Sequence, residues 1–151
     1  MADEYRRDPP SDAQGTVQGA CLCRAVRFEL DLPTRFLTHC HCDQCRRAHG
    51  AGSVTWTGVL DAHFRWLQGE ERVSRFATET GGTRCFCSRC GSTLTFQSPR
   101  WAGEVHVAVA LIDDPLDREP QAHFYADRAP AWYPIHDDLP RFGGPEGSTR
   151  L

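Results

Sequence analysis

Residues 85–91 read Cys-Phe-Cys-Ser-Arg-Cys-Gly, and the Cys-x-x-Cys-Gly within this stretch decides the fold. Two thiolates at this spacing can converge on one metal ion, while the glycine relieves the tight bend of the turn. Zinc prefers a tetrahedron of ligands, and a closed site of four thiolates is structural. The sequence therefore predicts that Cys87 and Cys90 supply half of a structural zinc site.

The other half is predicted to come from Cys21 and Cys23. Residues i and i+2 of a strand share one face, so both sulfurs can point at the same metal. The alternatives are buried apolar cysteines or a redox dithiol. The acidic N-terminus, Met-Ala-Asp-Glu, is followed by no apolar run, so we expect no secretory signal and a cytoplasmic protein. Clustered cysteines in that reducing compartment favour metal over disulfides.

The middle cluster, Cys40-His-Cys42-Asp-Gln-Cys45, offers three thiolates from one segment. Cys40 and Cys42 share a face in an extended chain, and a short turn brings Cys45 back toward them. A zinc ion with three protein ligands keeps its fourth position for water or substrate, which is typical of a catalytic site. Alternatively, Cys85 closes this site and makes it structural. The spacing leaves both arrangements open.

Histidines and arginines flank the middle cluster. His39 and His41 fall on the face opposite Cys40 and Cys42, so we interpret both as packing residues and not as ligands. His49 follows Cys45 by four positions on the predicted helix and could reach the metal or one of its ligands, but we expect an exposed histidine at the helix end. Two consecutive arginines, 46 and 47, could attract the carboxylates of an anionic substrate or could simply form a solvated helix face.

The rest of the chain predicts a mainly β fold built from antiparallel hairpins. Short runs of β-branched and aromatic residues alternate with Gly, Pro and Asp. Only Asp43–His49 is predicted to be helical, with Gly50 as its C-terminal stop. The runs are 25–30, 54–59, 63–67, 72–78, 92–97, 104–111 and 121–126.

The length of 151 residues indicates one domain. We predict a mobile N-terminal tail over residues 1–15, a single domain over 16–142, and a flexible C-terminal tail over 143–151. Both terminal segments are polar, and the first contains two prolines.

The composition argues against several classes of function. A net charge of -3 gives no basic footprint for nucleic-acid binding, so no nucleic-acid partner is expected. The chain has no run approaching the roughly 18 apolar residues of a membrane helix, so no membrane association is expected. All 17 basic residues other than histidine are arginine, which excludes lysine Schiff-base chemistry.

Three stretches in this order resemble the glutathione-dependent formaldehyde-activating family, which is related to centromere protein V. They are GACLCRAVRFEL, HCHCDQCRRAHGAG and FCSRCGSTL. The C-terminal HFYADRAPAWYPIHDDLPRF is also similar to that family's aromatic-rich ending. The match covers roughly residues 17 to 142, and three ordered cysteine clusters are a specific signature.

The resemblance implies a β-tent-like zinc fold of small antiparallel sheets and two zinc ions per chain. It places a structural zinc on Cys21, Cys23, Cys87 and Cys90, and a catalytic or glutathione-responsive zinc on Cys40, Cys42 and Cys45. Cys85 departs from the family's pattern.

The resemblance also implies a carbon–sulfur lyase that joins a small thiol such as glutathione to a small aldehyde such as formaldehyde, giving an S-hydroxymethyl thiol. Zinc would hold the sulfur as thiolate, and an acid that the sequence does not identify would protonate the oxygen. The alternative is a non-catalytic zinc-stabilised module that binds glutathione or a protein partner.

Overall fold

The structure is a computed structural model that describes residues 12–151. The tail predicted for residues 1–15 falls largely on residues 1–11, which lie outside the described residues. A seven-stranded sheet forms the centre, in the spatial order β10-β3-β4-β9-β8-β7-β6. Its strands are β3 (Phe36–Cys40), β4 (Val54–Leu60), β6 (Val73–Ala77), β7 (Thr83–Cys87), β8 (Thr93–Gln97), β9 (Glu104–Ala108) and β10 (His123–Phe124). All neighbours are antiparallel except β10 and β3, which are parallel.

Two smaller antiparallel sheets complete the strand content. One joins β1 (Thr16–Ala20), β2 (Arg27–Asp31) and β5 (Phe64–Gln68). The other is a ribbon of β11 (Phe142–Gly143) and β12 (Thr149–Arg150). The predicted domain boundaries remain a prediction, and this ribbon shows that part of 143–151 pairs with the end of the predicted domain.

One α-helix, α1 (Asp43–His49), follows β3 with the predicted bounds. Cys42 caps its N-terminus, and Gly50 ends it in the left-handed conformation at φ 60°, where a side chain would be strained. Five single-turn 3-10 helices span Asp61–His63, Glu70–Arg72, Pro99–Trp101, Val109–Leu111 and Ala126–Arg128.

The strand register of the central sheet places one row of side chains under one face. Across five neighbouring strands this row runs Arg84, Phe96, His106, Gly58 and Phe36. A Cβ atom on Gly58 would lie 2.3 Å from the Phe36 ring, so only glycine leaves room for Phe36 to pack edge-on against His106 at 4.9 Å between ring centroids.

The adjacent row lies on the opposite face because successive strand residues alternate. It runs Cys85, Thr95, Val107, Thr57 and Leu37. Its face carries the larger apolar core, which includes the buried Val59, Val105 and Phe28. A smaller core lies on the first face and includes Phe36, Cys45, Val54, Trp56 and Ala108.

The predicted fold class is confirmed: residues 12–151 are mainly β, with one short α-helix besides the single-turn 3-10 helices. Each predicted β run overlaps an observed strand, whereas β1, β3 and β7 lie outside the predicted runs. The run 104–111 ends as a strand at Ala108, because residues 109–111 turn into a 3-10 helix. The alternation of valines at 105, 107 and 109 gives no sign of that turn.

Candidate functional site

The cysteines of the first predicted site meet at one point. The sulfurs of Cys21, Cys23, Cys87 and Cys90 all lie within 4.8 Å of one another. The Cys21–Cys23 sulfur distance is 3.6 Å, and the Cys23–Cys87 distance is 3.9 Å. A tetrahedron with Zn–S bonds of about 2.3 Å requires sulfurs about 3.8 Å apart, so this donor set fits zinc.

Cys21 and Cys23 reach this cluster from a turn and not, as predicted, from a strand. The chain leaves β1 at Ala20, and the Arg24 amide donates a hydrogen bond to the Cys21 carbonyl at 3.0 Å. Arg24 itself adopts φ 65°, an unfavourable value for an arginine, and its guanidinium bonds both oxygens of Asp113. The two sulfurs are therefore brought together by a tight turn, and not by the alternation of side chains along a strand.

Hydrogen bonds to the backbone and to sulfur hold Cys87 and Cys90, the second half of the cluster. Gly91 closes the Cys-x-x-Cys turn at φ 78°, with its amide bonded to the Cys87 carbonyl at 2.8 Å. The Ser92 hydroxyl lies 3.2 Å from the Cys90 sulfur. Burial acts to raise the pKa of the Cys90 thiol, but the hydrogen bonds from Ser92 and from the Cys23 backbone outweigh it and lower that pKa to about 5. Cys90 is therefore suited to act as a thiolate.

The second predicted site also assembles. The sulfurs of Cys40, Cys42 and Cys45 lie within 4.8 Å of one another. Cys40 ends β3, Cys42 caps α1, and Cys45 lies in its first turn, where its amide donates to the Cys42 sulfur at 3.3 Å. No other Cys, His, Asp or Glu of residues 12–151 joins this group. Three sulfurs suit a metal that keeps one position free.

Cys85 does not close the second site. It belongs to the row on the opposite face of the central sheet, is 3% exposed, and packs in the larger core with Val107 and Leu94. Of the two arrangements left open by the sequence, the structure has the one in which Cys85 is a packing residue.

The three thiols influence one another strongly. Hydrogen bonds from Cys40 and Cys42 hold the pKa of the Cys45 thiol well below its usual value, and the positive charge of Arg84 acts in the same direction. Hydrogen bonds with Cys42 and Cys45, reinforced by burial, raise the pKa of Cys40. The site thus favours negative charge at Cys45 first.

His39 and His41 lie away from the cysteine sulfurs, as predicted. The two rings lie beside His123, each 5.0 Å from it between centroids. Nε2 of His41 lies 2.8 Å from Nδ1 of His123, whose Nε2 in turn lies 2.9 Å from the Asp137 carboxylate. Burial lowers the pKa of His41 to about 4, so this ring is neutral at neutral pH.

The expectation for His49 was wrong. The side chain is half-buried and packs edge-on against Trp56, 5.2 Å between ring centroids, and its Nε2 is buried without a hydrogen-bond partner. The reason is the short connection between α1 and β4, which lays the helix end over Trp56. His49 is nevertheless not among the cysteine-cluster donors.

A cavity of about 870 Å³ adjoins the second cluster. The three cysteines form part of its wall, and the row of Arg84, Phe96, His106 and Phe36 forms its floor. The C-terminal half of the chain contributes further walls. Among these wall residues are Arg100, Trp101, Tyr125 and Arg128, and Trp56 of β4 lines the cavity as well.

Three arginines line this cavity, and the sequence analysis missed all of them. Arg84 is 6% exposed, whereas Arg100 and Arg128 lie at the surface. Arg46 and Arg47, which the sequence left open as a carboxylate-attracting pair or a solvated helix face, do not line the cavity. Arg46 is instead held by the His41 carbonyl and by Asp43. Only the folded chain brings Arg84 of strand β7 to the same place as Arg100 and Arg128, which lie in two of the short 3-10 helices.

Comparison with known proteins agrees with this geometry. The family model for glutathione-dependent formaldehyde-activating enzymes matches residues 16–128.

The chain belongs to this family.

Two curated proteins are similar in sequence to this chain. A Halomonas elongata protein named "Putative glutathione-dependent formaldehyde-activating enzyme" is 34% identical over 126 residues, which is 79% of this chain and 80% of the relative. A Schizosaccharomyces pombe protein named an uncharacterized lyase is 30% identical over 79 residues, 52% of this chain and 56% of the relative. These names support an enzymatic role. The relation to centromere protein V remains a prediction.

A solved structure is also similar. The crystal structure of a Rhodobacter sphaeroides protein superimposes with a TM-score of 0.56 at 28% identity, covering 65% of this chain and 89% of the other.

Among residues 12–151 of the chain, no helix has the length and apolar character needed to cross a membrane.

Proposed function

We propose that the protein is a zinc-dependent enzyme of the carbon–sulfur lyase type that joins glutathione, or a similar small thiol, to formaldehyde. The observation that carries this proposal is the three-cysteine cluster in the wall of the arginine-lined cavity, with no fourth donor among residues 12–151. Two zinc ions per chain are proposed, one structural and one at this cluster. Zinc bound to Cys40, Cys42 and Cys45 would supply a thiophilic position that holds substrate sulfur as thiolate.

The cavity suits a thiol that carries carboxylates. Glutathione has two carboxylates and one ammonium group, and arginine binds carboxylates in a bidentate manner. Arg100 and Arg128 lie at the exposed side of the cavity, with Arg100 hydrogen-bonded to the Tyr125 hydroxyl at 3.3 Å and to the Glu146 carbonyl at 2.9 Å. A ligand that reaches from the cysteines outward would meet both guanidinium groups, of which that of Arg100 already contacts Tyr125 and Glu146.

The proposed reaction balances without another reactant. The thiol sulfur forms a bond to the aldehyde carbon, the carbonyl π pair moves to oxygen, and that oxygen gains the proton that the thiol lost. Buried in the cavity floor, His106 is paired through Nε2 with Glu104 at 2.9 Å. A neighbouring carboxylate orients an imidazole and stabilises its protonated form. We assign His106 the transfer of that proton.

The test must separate catalysis from the spontaneous addition of thiol to formaldehyde. Exchange NMR with ¹³C-formaldehyde and glutathione measures the rate at which the adduct forms at equilibrium. We expect the zinc-loaded protein to raise this rate in proportion to its concentration. Cys42→Ser should remove the increase, while the matched variant Cys85→Ala should retain it. Glutathione binding without any increase in rate would contradict the enzyme proposal and leave a non-catalytic thiol-binding module.

We also propose a cytoplasmic location, where glutathione is abundant.

A further inference from the structure

Arg84 occupies an unusual place for a charged side chain. It is the second residue of β7 and lies between Phe76 on one neighbouring strand and Phe96 on the other. Its guanidinium carbon lies 4.7 Å from the centroid of the Phe96 ring. With 6% of its surface exposed, the charge is almost completely removed from water. Burial of this kind is costly unless an opposite charge compensates it.

No carboxylate of residues 12–151 compensates Arg84. The ion pairs of that part of the chain involve other arginines and histidines. One nitrogen, Nη2, donates to the Cys45 sulfur at 3.6 Å. The other terminal nitrogen, Nη1, is buried without a hydrogen-bond partner. The contacts of Arg84 are therefore directed toward the three-cysteine cluster, and one donor remains unused.

The charge of that cluster explains what such an arginine can do. Three thiolates around a divalent zinc ion carry a net charge of roughly −1, and a fourth thiolate would raise this to roughly −2. In a buried site that second negative charge is strongly disfavoured unless a cation lies nearby. Arg100 and Arg128 lie at the exposed side of the cavity, and Arg100 is already engaged with Tyr125 and Glu146.

We propose that Arg84 is a positioning residue that acts as the buried counter-charge of the three-cysteine cluster, so that an anionic substrate sulfur can join it. This inference rests on the proposed function. It assigns Arg84 to the sulfur of the substrate and not to its carboxylates. The expected consequence is that Arg84 affects every thiol alike, whether or not the thiol carries a carboxylate.

Cobalt-loaded protein offers a readout that does not depend on turnover. Co²⁺ occupies zinc sites, and its visible absorption changes when a further thiolate coordinates. Wild type, Arg84→Met and Arg84→Lys would each be titrated with 2-mercaptoethanol, which is neutral, and with glutathione. We expect Arg84→Met to weaken the binding of both thiols by a similar factor, about tenfold or more. Arg84→Lys, which keeps the charge, should recover most of the loss.

Arg75→Met provides the matched control. Arg75 is exposed on the neighbouring strand β6, opposite Cys85 on the other face of the sheet, and it does not line the cavity. We expect its thiol affinities to equal those of wild type. If Arg84→Met fails to bind Co²⁺, Arg84→Lys decides alone: near-normal affinity for both thiols supports the proposal, and loss of both overturns it.

The remaining outcomes separate the two proposals. Unchanged affinity of Arg84→Met for both thiols would overturn the role of Arg84 while leaving the proposed function intact. Weaker glutathione binding with unchanged 2-mercaptoethanol binding would make Arg84 a carboxylate receptor and also overturn it. A cobalt-loaded wild type that binds neither thiol would contradict the proposed function itself.

Discussion

Arg84 and Cys85 are adjacent in sequence, yet their side chains lie on opposite faces of the seven-stranded sheet. Arg84 reaches the sulfur of Cys45, and Cys85 packs in the larger core. The alternation of β7 therefore separates a residue that contacts the open cluster from one that cannot contribute a ligand to it. The first of the predictions below depends on this separation.

Cys85→Ala should leave the metal content unchanged. The substitution removes one buried sulfur from the larger core, so we expect a loss of roughly 1 kcal/mol in the free energy of unfolding. Zinc per chain, measured by elemental analysis after gel filtration, should equal that of wild type. Cys40→Ala serves as the comparison and should lose one zinc ion. Equal zinc loss in the two variants would show that Cys85 is a ligand.

Cys90→Ser should unfold the protein or empty its structural zinc site. The cluster of Cys21, Cys23, Cys87 and Cys90 joins the turn after β1 to the end of β7, and metal-binding free energy at such a site is folding free energy. Far-ultraviolet circular dichroism and zinc analysis should show an unfolded or zinc-depleted protein. A folded Cys90→Ser variant with full zinc content would contradict the structural role.

His41→Gln should retain all zinc while losing stability. The variant removes the imidazole from the hydrogen-bonded series with His123 and Asp137, so the Nδ1 of His123 loses its partner. Leaving such a buried group unsatisfied costs about 1–3 kcal/mol. Thermal unfolding and zinc analysis would be measured together. Loss of one zinc ion from an otherwise folded variant would mean that His41 is a ligand.

Arg100→Met should change thiol selectivity. Its guanidinium lies at the exposed side of the cavity, where an ion pair with a carboxylate contributes about 1 kcal/mol or less. Isothermal titration should show glutathione binding weakened by a small factor, with 2-mercaptoethanol unaffected. Arg47→Met, on an exposed face of α1 outside the cavity, should match wild type. A loss in Arg47→Met alone would instead favour the helix arginines as the carboxylate site.

Local pattern predicted those features that depend on residues close in sequence. The Cys-x-x-Cys-Gly turn, the three-cysteine cluster and the bounds of α1 follow from spacing and capping. The metal-binding roles of the cysteines remain predictions. The placement of Cys21 and Cys23 in a turn was not predicted, because the conformation of Arg24 depends on its distant partner Asp113.

The cavity could not be predicted for a related reason. Arg84, Phe96 and His106 become neighbours only through the register of three strands, and that register is fixed by long-range pairing. In the sequence each is an ordinary member of a β run. The open cluster could thus be located from sequence, whereas the residues around it required the fold.

The central claim is that Cys40, Cys42 and Cys45 bind a metal whose fourth position accepts a substrate thiol. Cadmium-113 NMR of the protein with both sites loaded tests it most directly, because the chemical shift of cadmium reports the number of sulfur ligands. We predict two resonances, of which glutathione moves only one, toward the position of the four-sulfur site. A single resonance, or two resonances that glutathione leaves unchanged, would contradict the account.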